Sequence, residues 1–198
     1  MTHPLPLLLD CDGVLLDWLD GFKAYASDRL GRVLKATPED FDMSAWLGVS
    51  RGAMVAMIAD FNQGDGGYFG RLRPLPGAQT ALATAYAQGR RIEVVTSCST
   101  LPQVVASREE NLRYTFGDIF AGIHCLDTHH DKAPLLAELG PGAWVEDKFE
   151  NAVAGSNIGL TSYLIRTSYN AKHEAAGGHP RLTWVDGWGC IQRHEALH

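Results

Sequence analysis

Short apolar runs that end in polar residues constrain this chain most. Leu5-Pro6-Leu7-Leu8-Leu9 stops at Asp10, and Arg91 to Thr96 (R-I-E-V-V-T) stops at a hydroxyl. Ile119 to Cys125 and Ser162 to Ile165 have similar lengths, and Ala143 to Asp147 ends in two acids. Such runs, about four to eight residues long, suit strands buried on both faces, as in a parallel sheet. Helical spacings lie between the later runs: Gln103 to Tyr114, Lys132 to Leu139 and Phe149 to Ser156. Strand and helix in alternation argue for an α/β chain with a parallel sheet and helices on both faces.

One stretch breaks this rhythm. Trp18, Phe22, Tyr25, Ala26 and Leu30 fall at helical spacing, with Gly31 as a stop. Asp40 to Gly48 is irregular, and Ser50 can cap a helix that holds Met54, Val55, Met57, Ile58 and Phe61. Gly64 to Gly67 reads as a loop, and Pro74-Leu75-Pro76-Gly77 breaks the chain before an alanine-rich helix that stops near Gly89. Residues 17–73 therefore read as a small helical insertion after the first strand. Residues 1–16 and 74–198 read as the core domain. The last thirty or so residues mix turn formers with aromatics and give no clear element.

Composition excludes several classes. With 198 residues, 45% apolar and 20% charged, the chain can bury a full core. The net charge is −6 and there is no Lys/Arg run, which argues against polymeric nucleic acid as a partner. No apolar run approaches the roughly 20 residues that span a bilayer. Leu5 to Leu9 lacks a basic lead and makes a poor signal peptide. Cys11, Cys98, Cys125 and Cys190 are scattered without a C-x-x-C, as suits thiols in a reducing cytoplasm. His129 and His130 have no second His/Cys cluster at ligand spacing, so they read as loop histidines rather than a transition-metal site.

In an open α/β sheet, ligands bind outside the carboxyl ends of the strands. Those ends bring together Asp10 and Asp12, Thr96 and Ser97, Lys132 and the pair Glu146-Asp147. The set suits phosphoryl transfer. A carboxylate can attack phosphorus, and a hard cation held by oxygens offsets the repulsion between the two anions. Hydroxyls and a lysine can hold phosphate oxygens. A second acid can protonate the leaving oxygen. Taken singly, Asp-x-Asp-Gly reads as a turn, Thr96 as a helix cap and Lys132 as a surface lysine.

Taken in order, the four segments Leu9-Asp10-Cys11-Asp12-Gly13-Val14, Val95-Thr96-Ser97, Asp131-Lys132 and Val145-Glu146-Asp147 resemble the motifs of the haloacid dehalogenase superfamily of phosphohydrolases. Leu15-Leu16-Asp17-Trp18, Tyr68-Phe69, Pro74 to Ala78 and the tail Arg181 to Trp188 look most like its 5′(3′)-deoxyribonucleotidases. The chain departs from that subfamily in having Glu146 before Asp147 and Tyr169 before Asn170, and in lacking a clean match to the aromatic cluster for the base.

The resemblance implies a Rossmann-like core with a small helical cap and a Mg²⁺-dependent phosphomonoesterase acting on nucleoside monophosphates. It implies Asp10 as nucleophile and metal ligand, and Asp12 as general acid/base with its carbonyl on Mg²⁺. It implies Thr96, Ser97 and Lys132 as phosphate binders, Asp147 as a direct metal ligand and Glu146 as the orienter of a metal-bound water. Trp18, Trp46 and Phe61 are the aromatic candidates for the substrate pocket. Related enzymes form dimers, so a homodimer fits, although no stretch of sequence marks an interface. The alternatives are a phosphatase for another small metabolite such as a sugar phosphate, and a non-catalytic module that binds a phosphate ligand. Dehalogenase chemistry is disfavoured, because that branch lacks the second acid found here as Asp12.

Overall fold

The computed structural model describes residues 4–128 and 130–197. Among them the sheet has six strands: β1 (Leu7–Leu9), β2 (Ile92–Ser97), β3 (Gly122–Leu126), β4 (Ala143–Glu146), β5 (Thr161–Ile165) and β6 (Leu182–Val185). Their spatial order is β3-β2-β1-β4-β5-β6 and every pairing is parallel. The apolar runs thus form one parallel sheet, as their length and continuity dictate. The third run forms a strand from Gly122 to Leu126 rather than from Ile119, and Ala121 N–H bonds to the Ile92 carbonyl at its entry.

β6 and the helix after it come from the tail that the sequence leaves undefined. Leu182–Val185 is a half-buried edge strand and lacks the continuous apolar run that marks a central one. Trp188, fully buried in the final helix, donates from its indole nitrogen to the Val14 carbonyl at 2.7 Å. The tail thereby fastens the loop that follows β1.

Helices occupy the crossovers: α1 (Trp18–Leu30), α2 (Ser44–Leu47), α3 (Arg51–Asn62), α4 (Ala78–Ala87), α5 (Pro102–Phe116), α6 (Ala133–Leu139), α7 (Phe149–Asn157) and α8 (Ala171–Ala175); α9 (Trp188–His194) follows the last strand. Local chemistry sets several ends. Asp17 caps α1 by accepting from Asp20 N–H, Gly31 ends it in the left-handed conformation, and Ser50 caps α3 through Ala53 N–H. The stretch read as irregular contains the single turn α2.

Residues 17–73 leave and rejoin the sheet at one place. Asp17 N–H donates to the Arg73 carbonyl, and Leu75 N–H donates to the Leu15 carbonyl, both at 2.8 Å. Between these ties, Trp18, Phe22, Tyr25, Phe61 and Phe69 pack ring against ring. This aromatic core lets a short helical segment hold its shape. No described helix is long and apolar enough to cross a membrane.

Candidate active site

The strand order reverses at β1, which lies between β2 and β4. A crevice must open at the carboxyl end of such a strand, since the flanking connections leave in opposite directions. There the structure has a cavity of about 760 Å³ lined by Asp10, Asp12, Thr96, Ser97, Lys132, Glu146 and Asp147. Trp18 and helix α3 line its other wall.

Asp10 follows β1 directly, its N–H bonded to the Val145 carbonyl at 2.9 Å. The Lys132 ammonium lies 2.9 Å from Asp10 Oδ1 and 3.0 Å from Glu146 Oε2. Lys132 is only 2% exposed, so the surface-lysine reading fails. Burial alone would push its pKa down, but Asp10 and Glu146 outweigh that and hold it above the usual range. Glu146 Oε1 accepts from the N–H groups of Asp147 and Lys148, both at 3.1 Å. Glu146 thus holds both the lysine and the turn that carries Asp147.

Asp147 is gripped from the loop after β5. The Tyr169 hydroxyl donates to Asp147 Oδ2, and Asn170 Nδ2 donates to the Asp147 carbonyl at 2.7 Å and to the Ile165 carbonyl at 2.8 Å. Gly13 makes room for this arrangement. Its φ is +77°, and a Cβ there would lie 2.2 Å from Asp147 Oδ2. Only glycine satisfies both demands.

Oxygens of Asp10, Glu146 and Asp147 all lie within 4.8 Å of one another. Burial and the nearby Glu146 charge push the Asp10 carboxyl up to about 7, and burial and Asp10 push Asp147 up to about 6. Buried acids that repel one another this closely form a donor set that fits a hard divalent cation. The Asp12 carboxylate lies outside that cluster. On the opposite side, Thr96 is completely buried and its Oγ1 has no partner among the described residues. A buried hydroxyl without a partner costs free energy unless a ligand satisfies it.

The aromatic candidates divide. Trp18 lines the cavity, with its indole N–H held by Asn62 Oδ1 at 3.1 Å. Phe61 does not line it; the ring is wholly buried among Trp18, Phe22, Tyr25 and Phe69. Trp46 does not line it either, its indole donating to the Ala36 carbonyl at 3.0 Å. The wall that lies there instead is Met54, Val55 and Ile58 of α3. An aromatic at helical spacing can pack or bind; here the aromatic core took Phe61, while Trp46 packs half-buried against the core's edge.

Three participants carry little or no signal of their role in the sequence: Arg108, Tyr169 and Asn170. Arg108 sits mid-helix in α5 with no surrounding motif, yet it contacts Asp12. Tyr169-Asn170 were visible only as a departure from a familiar pattern. His129 lies outside the described residues, and His130 is an exposed loop residue at the cavity edge.

No family profile and no curated protein sequence matches this chain. Solved structures do resemble it. A haloacid dehalogenase-like family hydrolase from Streptococcus pneumoniae superposes with a TM-score of 0.64 at 13% identity, covering 98% of this chain and 100% of its own. D,D-heptose 1,7-bisphosphate phosphatase from Burkholderia thailandensis gives 0.56 at 17%, covering 96% and 97%. L-2-haloacid dehalogenase from Xanthobacter autotrophicus, with chloropropionic acid covalently bound, gives 0.55 at 14%, again covering 96% and 97%. Phosphatases and a dehalogenase thus share the architecture, and what the chain has in common with them is the α/β fold of haloacid dehalogenase-like hydrolases.

Proposed function

We propose that the chain is a Mg²⁺-dependent phosphomonoesterase that forms an aspartyl phosphate on Asp10, with residues 17–73 as a cap over the site. The observation that carries this reading is the orphaned Thr96 hydroxyl, which lines one cavity with the buried pair Asp10–Lys132. Asp10 attacks phosphorus, and Lys132, Thr96 and Ser97 hold the phosphoryl oxygens. Asp12 protonates the leaving alcohol and later deprotonates the water that releases phosphate. Asp10, Asp147 and the Asp12 carbonyl would hold Mg²⁺, which when bound neutralises phosphate charge. The second acid supports ester hydrolysis over dehalogenation.

The preferred substrate is a nucleoside monophosphate. The cavity volume suits a ligand of that size. Its α3 wall of Met54, Val55 and Ile58 supports a flat, weakly polar leaving group over a sugar. The test is phosphate release from deoxy- and ribonucleoside monophosphates and sugar phosphates, with Mg²⁺ and with chelator. Chelator-sensitive turnover highest on a nucleotide supports the whole reading. A maximum on a sugar phosphate would keep the chemistry and discard the nucleotide. Binding of beryllofluoride without any turnover would favour a phosphate-binding module.

A further inference from the structure

Arg108 is a fully buried cation that the chemistry above does not use. Its Nη2 donates to both oxygens of Asp12, at 2.6 Å and 2.8 Å, and its Nη1 donates to Cys11 Sγ at 3.2 Å. Its guanidinium carbon stacks 4.2 Å from the centre of the Phe69 ring. Its Nε has no partner among the described residues. A buried ion pair of this kind is weak stabilisation, because an apolar residue of similar volume often packs as well or better. Asp12 spans the cavity edge, with 23% of its side chain exposed, while Arg108 reaches it from the protein interior. The pair therefore orients a group that works in the cavity.

We propose that Arg108 is a positioning residue that holds the Asp12 carboxylate in place for the second half of the reaction. This rests on the phosphomonoesterase reading. In the first half, a bond forms from an Asp10 oxygen to phosphorus as the bond from phosphorus to the leaving oxygen breaks, and Asp12 supplies that oxygen's proton. In the second half, water adds to the same phosphorus, its proton passes to the Asp12 carboxylate, and the Asp10–phosphorus bond breaks. Two hydrogen bonds from one guanidinium nitrogen fix the position of the carboxylate that receives the water's proton. An aryl ester needs no acid to leave, so it isolates this second half.

The experiment is rapid-mix hydrolysis of p-nitrophenyl phosphate by wild type, Arg108→Met, Arg108→Lys, Asp12→Asn and the double variant Arg108→Met/Asp12→Asn, all with Mg²⁺. Arg108→Met should release a burst of nitrophenol stoichiometric with enzyme. Steady turnover should then be slowed on the order of 10²-fold. KM should fall along with kcat, and intact-mass analysis of acid-quenched protein should show the phosphorylated chain. Asp12→Asn should do the same, and the double variant should lose little more than either single one. If Arg108→Met does not fold, Arg108→Lys carries the test, since it keeps a buried cation and loses the two-bond grip. Wild-type turnover with slowed variants that show neither burst nor phosphorylated chain overturns the positioning role and leaves the phosphatase reading intact. Additive losses in the double variant overturn it equally. A wild type that hydrolyses nothing overturns the phosphatase reading and this proposal with it.

Discussion

The ammonium of Lys132 lies 2.9 Å from Oδ1 of Asp10, deep in the crevice at the point where strand order reverses. As the proposed nucleophile, Asp10 would need its charge in a place where burial disfavours a lone carboxylate. Lys132 offsets part of that cost, and Glu146 holds Lys132 in turn at 3.0 Å.

Lys132→Met is therefore expected to damage both fold and activity. It leaves two buried acids without their cation, and breaking such a pair costs about 3–5 kcal/mol. Urea unfolding should show a lower midpoint with an unchanged slope, and phosphate release should fall to background. A midpoint equal to wild type would refute the account of the pair.

Asp10→Asn is expected to separate chemistry from stability. An amide cannot form the acyl phosphate, so turnover should vanish. It also removes one of the mutually repelling buried charges, so in chelator the variant should melt no lower than wild type. Retained turnover would exclude Asp10 as nucleophile.

Metal removal should make stability depend on pH in a defined direction. Asp10 is raised to about 7, and Asp12 and Asp147 to about 6, by burial above all. Raised carboxylates bind more protons in the folded than in the unfolded state, so stability falls as pH rises between the unfolded values near 4 and the folded ones. In chelator the melting temperature should drop from pH 5 to pH 7.5 through these groups, and Mg²⁺ should restore most at the alkaline end. A Mg²⁺ effect equal at both ends would count against this donor set.

Gly13→Ala should move Asp147. A left-handed non-glycine residue costs roughly 1–2 kcal/mol, and the new methyl would meet Asp147 Oδ2 at 2.2 Å. Weakened Mg²⁺ binding, read by calorimetry, should accompany the lower melting temperature. Unchanged affinity would show that Asp147 tolerates the shift or is no ligand.

Much of the fold was legible because its causes are local. Leu7–Leu9 makes a strand because a continuous apolar run fits a sheet covered on both faces. Ser50 and Gly31 mark helix ends because a side-chain oxygen and a left-handed residue satisfy nearby backbone groups. Asp10, Thr96, Lys132 and Asp147 were legible together because parallel strands all point their carboxyl ends at one edge. The sequence by itself determined that convergence.

The tertiary structure alone decided the rest. Arg108 reaches Asp12 across 96 residues, and Tyr169 reaches Asp147 across 22, which no spacing rule encodes. Phe61 went to the aromatic core and Trp18 to the cavity, although both are aromatics on helices of one segment. Strand β6 depended on finding an edge to pair with, since its own apolar pattern is weak. Periodicity is a property of neighbours along the chain. The partner of a buried charge or ring is a property of the packed interior, where each must find a complement or bear the desolvation cost.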